Sequence, residues 1–531
     1  MMLRAWIGLL LVGVVCLSAQ TPSGAPYDRA AARAAFEEAR GLFSSDIEAS
    51  VRGLRALIDK YPDFYDAHQY YILYRSVAAT RTVPEAERKA AAEAASAEVE
   101  ALYRTWAAEH PDRAVYACAL GTIHQYKDPD QAERFFQQAV KLDPNFGQAY
   151  DALALCAEIR GDLPGSLAFH RKSVEVEPDN VTLWRHLVGS LKESDTEEAI
   201  ALGLKMAERF PDDASSILGY LATRSREEAQ ALRIYELLKE RFPKASVRSL
   251  TGLFNLYVKS DRMRALELAR QMVQLSPENK EWPVLVAYAQ ALIDTEALLT
   301  AGKPAEALAA LGRISLPRYG VDRRWLDLAK VRATAVENPA KAYDDLLAIQ
   351  ASKPTDEGQT ALLVLGRKAG KEPAVVASDL RAKRAASVRP AESFDLVDYT
   401  TGRPVKLEDY RGRAVLVNFW YPLCGPCRGE FPFLQSVLEK YRSRGFEILA
   451  INGHAPEDHL VLPLLKGWRL DFKPLKGTEE IVKAYKVRGF PANFLVGPDG
   501  RVVYEPPPVS TMAAQRELEL QIEAALDAGA Q

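Results

Sequence analysis

Two spacing rules run along this chain, and one gives way to the other near residue 385. Before that point apolar positions recur every three to four residues, as at Tyr150, Leu153, Ala154 and Ala157. That is the period of one buried helix face. Prolines interrupt the pattern in a fixed context: Tyr61-Pro62-Asp63, His110-Pro111-Asp112, Asp143-Pro144-Asn145, Glu177-Pro178-Asp179, Phe210-Pro211-Asp212, Phe242-Pro243-Lys244 and Ser276-Pro277-Glu278. From Pro111 the steps are 33, 34, 33, 32 and 34 residues, with weaker members at Pro317 and Pro354. Twelve residues before the proline stands a small residue: Ala132, Ser166, Ala199, Ala231, Ala265 or Ala342. Phe136 and Tyr235 follow four residues later. Arg160-Gly161-Asp162 reads as the turn within one helix pair. Each proline then ends the second helix, because it lacks an N–H and restricts the residue before it. The longer step from Pro62 to Pro111 contains the Ala-rich stretch Glu85–Glu98, which predicts a lengthened helix.

Beyond residue 385 short β-branched runs alternate with helical segments. Ser393–Val397 and Val405–Leu407 bracket the turn Thr401-Gly402-Arg403, which predicts a hairpin. Ala414–Trp420 is continuously apolar and reads as a central strand covered on both faces. A helix follows over Cys424–Tyr441, then a buried strand over Phe446–Ile451 and a helix over Thr478–Tyr485. Ala492–Val496 and Arg501–Tyr504 flank Gly497-Pro498-Asp499-Gly500, a second hairpin signal. Ala513–Ala528 closes the chain as an amphipathic helix. The order predicts an α/β sandwich around a central mixed sheet.

The repeating first part resembles tetratricopeptide repeats, best in Gly147–Pro178 and over residues 28–385 as a whole. The resemblance implies an all-α solenoid, since one helix pair cannot bury its apolar face alone. It also implies a surface that docks a partner protein. A structural spacer or a dimerisation surface is the competing reading. The expected layout is a leader at 1–19, the solenoid at 28–385, a linker at 386–391 around Pro390, and the α/β domain at 392–531.

Charge and composition narrow the function classes. In 531 residues, 68 Lys and Arg stand against 71 Asp and Glu, a net charge of −3. This near balance makes no case for nucleic acid or an anionic membrane as partner. Met1-Met2-Leu3-Arg4 precedes an apolar run from Trp6 to Leu17, too short to span a bilayer but suited to a signal peptide. Leu17-Ser18-Ala19 offers a small-residue cleavage site. Val15 before Cys16 argues against lipidation there. No later stretch is long and apolar enough for a membrane span, so the mature chain is expected to be exported, periplasmic or extracellular.

Five cysteines, Cys16, Cys118, Cys156, Cys424 and Cys427, exclude a disulfide-stapled scaffold but leave room for one chemical pair. Cys118 and Cys156 fall in first helices of adjacent repeats. They read as a staple between units or, preferably, as two small buried apolar residues. Cys424-Gly425-Pro426-Cys427 sits where a strand ends and a helix begins. A helix N-terminus stabilises a thiolate, and two intervening residues let the second sulfur reach the first. Cys424 is then the exposed nucleophile and Cys427 the resolving thiol, with Pro426 stiffening the turn.

From Val415-Leu416-Val417-Asn418-Phe419-Trp420 through Cys424-Gly425-Pro426-Cys427-Arg428-Gly429-Glu430-Phe431-Pro432, the domain resembles the thioredoxin superfamily, in its exported TlpA and ResA branch. The resemblance implies that Glu430, three residues after the second cysteine, is a buried carboxyl that moves the resolving thiol's proton. On spacing alone a helix-surface acid in the first turn is the competing reading for Glu430. Val487-Arg488-Gly489-Phe490-Pro491-Ala492-Asn493-Phe494 matches the family's second mark. It implies that Pro491 is a cis proline and that Phe490 offers backbone to an extended substrate. Phe490, Pro491, Trp420 and Pro426 are the expected substrate-facing residues. One feature departs from the pattern: Tyr421-Pro422-Leu423 precedes the first cysteine where the family has Trp; Asn418, where cytoplasmic members carry an acid, fits the exported branch, in which Glu430 supplies the carboxyl.

The chemistry expected is thiol–disulfide exchange with protein dithiols and disulfides, in the reducing direction, with no metal and no organic cofactor. Zinc would need four ligands, and His454 and His459, read as solvated loop residues, have no suitable spacing. A peroxidase of the AhpC/TSA class shares the fold but would use a lone peroxidatic cysteine. A repeat scaffold with an inactive redox module is the remaining alternative.

Overall fold

The computed structural model describes residues 28–529 apart from 82, 126, 192–195, 226, 245–246, 318–319 and 510. The leader expected at 1–19, with Cys16, lies outside the described residues. One compact unit takes in the chain up to residue 195 together with 462–469; the other takes in 196–461 and 470–531.

Within each unit, helices that follow one another in sequence pack together. Ile47–Lys60, Arg88–Glu109, Pro129–Leu142, Leu163–Val176, Thr196–Arg209, Glu228–Arg241, Arg262–Leu275 and Pro339–Ser352 each end two residues before a recurring proline. The intervening residue explains the stop. At Tyr61, His110, Glu177 and Lys353 the backbone leaves the helical region for φ of −131 to −136° and ψ of 64 to 80°. Proline's ring disfavours the helical conformation in its predecessor. Side chains of Asp46, Asp128, Asp162, Asp261 and Asn338 cap the N-termini of the second helices. Each satisfies a backbone N–H that the helix leaves without a partner. Arg88–Glu109 is the lengthened helix, at 22 residues.

The small residues expected at the helix contacts, Ala132, Ser166, Ala199, Ala231, Ala265 and Ala342, are all buried. The two aromatics meet glycines: the Phe136 ring lies on Gly121, and the Tyr235 hydroxyl end lies on Gly252. A Cβ on Gly121 would overlap the Phe136 ring. Gly121→Ala is therefore expected to destabilise the first unit by about 1–3 kcal/mol, read as a lower urea midpoint. An unchanged midpoint would show that the ring yields freely. Cys118 and Cys156 are free, buried thiols, and burial pushes both pKa values up to about 12. They fill space between helices and form no staple.

The C-terminal part runs β1 (Arg389–Pro390), β2 (Asp395–Asp398), β3 (Pro404–Lys406), β4 (Ala414–Trp420), α1 (Gly425–Tyr441), β5 (Phe446–Asn452), α2 (Asp458–Gly467), β6 (Lys473–Lys476), α3 (Glu479–Ala484), β7 (Ala492–Val496), β8 (Arg501–Tyr504) and α4 (Met512–Gly529). The strands form one mixed sheet in the order β1-β8-β7-β4-β5-β6-β2-β3. β4 pairs parallel with β5 and antiparallel with β7, and all seven of its residues are buried. A strand with neighbours on both edges and cover on both faces has no room for polar alternation.

Three elements differ from the sequence expectation. The segment read as linker contributes β1, with Arg389 opposite Val502 of β8. α2 and β6 are additions to the elements expected from sequence, and each holds a proline in its interior, Pro463 and Pro474. Proline argues against a helix interior and an inner strand. β6 lies between β5 and β2, where pairing on both sides outweighs the one donor lost. His459 is accordingly an exposed helix residue of α2, not part of a loop.

Candidate redox site

β4 delivers the chain to the site, and the turn Tyr421-Pro422-Leu423 brings it into α1. Cys424 is the N-cap residue of α1, at φ −68° and ψ 97°, and its Sγ accepts the Cys427 N–H at 3.1 Å. Cys424 and Cys427 are joined as a disulfide with their Cα atoms 5.2 Å apart. Gly425 and Pro426 form the exposed rim of the first turn. Cys424 itself is only 1% exposed, which corrects the expectation of an exposed nucleophile. In the oxidised pair the sulfur is turned toward Cys427 and the helix end, where it serves as the cap. The same placement favours a thiolate once the pair is reduced, because the Cys427 N–H donates to this sulfur and the positive end of the helix dipole lies there.

Behind the sulfurs lies a buried polar chain. Glu430 is on the same face of α1 as Cys427, one turn on, and is 1% exposed. Its Oε1 accepts the Val509 N–H at 2.5 Å, and its Oε2 faces the Asn493 amide nitrogen at 3.4 Å. Asn493 in turn accepts from Asn418 Nδ2 at 2.8 Å, across the β4–β7 register pair Asn418–Asn493. Burial raises the Glu430 carboxyl to about pH 7, against the lowering effects of Val509, Asn493 and the Arg224 charge. Glu430 is therefore no surface acid.

Around the rim, the Leu423 N–H donates to Glu457 Oε2 at 2.8 Å, and Glu457 Oε1 lies 2.9 Å from His454 Nδ1. The His454 ring lies 5.6 Å from Tyr421, which meets Phe490 edge-on at 5.3 Å. His454 is thus a partly buried member of this cluster, where a solvated loop residue had been expected. The Phe490–Pro491 peptide bond is cis. Among the described residues no three His, Cys, Asp or Glu side chains are grouped to hold a metal ion.

The sequence has relatives among known proteins. Residues 388–505 match the profile of the AhpC/TSA family. The thiol-disulfide oxidoreductase ResA of Bacillus subtilis (strain 168) is 34% identical over 115 residues, 21% of this chain and 63% of that protein. The ResA of Bacillus thuringiensis subsp. konkukian (strain 97-27) is 33% identical over 118 residues, 22% of this chain and 67% of its own length. The chain belongs to this family of thiol-disulfide oxidoreductases. The family profile falls within the C-terminal domain, and the chain spans under two thirds of the length of the Bacillus subtilis relative. A crystal structure described as a putative thiol:disulfide interchange protein DsbE from Chlorobium tepidum is 31% identical, with TM-score 0.24, covering 26% of this chain and 96% of that one.

In this oxidoreductase domain the residues singled out from sequence divide into two groups. Cys424, Cys427, Pro426 and Glu430 share one helix end, and Phe490 with Pro491 stands at the rim through Tyr421. Trp420 does not belong to the rim. It is fully buried, packed edge-on against Phe431 at 5.1 Å, so the expected substrate contact is corrected to a core role. The strand that carries it is covered on both faces. Sequence reading missed Asn493, Val509 and Glu457. The paired asparagines on two apolar strands were a usable signal; Val509 acts through its backbone N–H, which no sequence pattern reveals.

Proposed function

We propose that the chain is an exported thiol–disulfide oxidoreductase that reduces protein disulfides through Cys424 and Cys427. The observation that carries this reading is the Cys424–Cys427 pair at the N-terminus of α1, backed by the buried Glu430. In the reduced protein, the Cys424 thiolate attacks one sulfur of a substrate disulfide, forming a mixed disulfide and expelling the other sulfur as a thiolate. Glu430 takes the proton of the Cys427 thiol. The Cys427 thiolate attacks Cys424 Sγ, closes the internal disulfide and releases the second substrate thiolate, to which the proton passes. Two electrons leave the dithiol and one substrate disulfide bond is broken. Phe490, Pro491 and Pro426 frame the docking groove. The helical array, 28–385, docks and positions the partner ahead of the redox domain, whose sheet begins at β1, Arg389–Pro390. The charged N-terminus and apolar run of the sequence support export, and no described helix is long and apolar enough to cross a membrane.

The test is a trap. Cys427→Ser, reduced and mixed with insulin, should accumulate a dithiothreitol-sensitive mixed disulfide on Cys424; none forming would contradict the assigned order of attack. Direction is read from equilibrium with a glutathione couple. A potential near about −270 mV supports reduction, and one near about −120 mV reverses the assignment. The AhpC/TSA match keeps a peroxidase in view. It predicts hydrogen peroxide consumption that survives Cys427→Ser in the presence of dithiothreitol, whereas dithiol exchange predicts none.

A further inference from the structure

The second unit contains a contact that the redox chemistry above does not use. Helix Ala214–Arg224 of the repeat array ends on Arg224, and Arg224 Nη2 donates to the carbonyl oxygen of Gly429 at 2.7 Å. Gly429 lies in α1 between Cys427 and Glu430. Its missing side chain makes room, because a Cβ there would lie 3.0 Å from both terminal guanidinium nitrogens. The guanidinium also lies 5.6 Å from the ring centre of Tyr220, one turn back on its own helix. Arg224 is partly buried between these partners. We propose that Arg224 is a positioning residue of the redox site: supplied by the array, it grips the dithiol helix at Gly429 and sets positive charge beside Glu430.

Two physical effects follow. A carbonyl in the first turns of α1 bonded to a cation holds that turn in one place, and with it the Cys427 and Glu430 side chains. The charge also favours the ionised carboxylate, which is the form that accepts the Cys427 proton. The groups acting on Glu430 are the Val509 N–H and the Asn493 amide, both uncharged, and Arg224, the one charged group among them. Cys427 stands one turn earlier on Glu430's own helix. The array thereby takes part in proton transfer, and does not act on a docked partner alone. The inference rests on the proposed role of Glu430 as proton carrier.

The experiment is stopped-flow reaction of the reduced full chain with Ellman's reagent across pH 5–9. The second thionitrobenzoate release reports Cys427 closing on Cys424. In the wild type this rate should rise with pH through the Glu430 titration. Arg224→Met, which keeps bulk and removes charge, should move the limb alkaline by roughly half a pH unit and slow release about threefold at pH 6. Arg224→Lys should restore most of the limb's position. Gly429→Ala, which pushes the guanidinium away, should move it in the same direction as Arg224→Met. It also keeps the inference testable should Arg224→Met fold poorly. Glu430→Gln separates the two claims. A limb that survives in Glu430→Gln overturns the proton-carrier role and the inference with it. A limb lost in Glu430→Gln but unmoved in Arg224→Met or Gly429→Ala overturns the role of Arg224 alone.

Discussion

Cys424→Ser is expected to abolish dithiothreitol-driven insulin reduction, with a loss of about a thousandfold or more. A serine hydroxyl is not ionised near neutral pH and forms no bond equivalent to the mixed disulfide, so the first attack has no substitute. Cys427→Ser differs in kind. It keeps the first attack and stalls after it, so the substrate remains bound through Cys424. A chain that serves only as a repeat scaffold gives equal rates for wild type and Cys424→Ser. The serine should leave the fold in place, since Cys424 acts as the N-cap of α1 and serine is a good cap. A lost rate beside an unchanged melting curve therefore reads directly on the chemistry.

Glu430→Gln is expected to change both stability and rate, with opposite signs. The carboxyl titrates near pH 7 in the folded chain, raised chiefly by burial, against roughly 4.3 for a free glutamate. Between those values the native state holds a proton that the unfolded state has lost. Stability is then greatest below about pH 4 as far as this group is concerned. It falls as pH rises toward 7 and stays level above, a loss on the order of 3 kcal/mol. Glutamine cannot ionise, and its oxygen can still accept the Val509 N–H. The variant should therefore resist urea better than the wild type at pH 8 and lack that slope. Its Cys427 closing step should slow, because no carboxylate remains to take the proton. Parallel stability profiles for the two proteins from pH 5 to 8 would contradict the buried-carboxyl assignment.

Much of this was open to sequence reading, for local reasons. The recurring prolines locate helix ends because proline disfavours the helical conformation in its immediate predecessor. β4 is legible as a central strand because burial on both faces leaves a run of apolar residues with no alternation. Cys424 and Cys427 are legible because their spacing and the strand-to-helix transition are contiguous in the chain. The same local signals are overridden at Pro463, inside α2, and at Pro474, inside β6, where pairing with β5 and β2 holds the strand despite proline. They also misplace Trp420, adjacent in sequence to the active turn but directed into the core.

The sequence by itself determined the helical repeats, the α/β domain and the reactive pair, since each depends on residue type and spacing over a few turns; Glu430 became a candidate only through the family resemblance. Only the tertiary structure decided that the Cys424 sulfur is turned inward and that Glu430 is buried against Val509 and Asn493. It also decided that Glu457 and His454 hold the turn before Cys424, and that Arg224 reaches Gly429 from 205 residues away. Burial and charge proximity are sums over neighbours from distant parts of the chain, so no window along the sequence contains them.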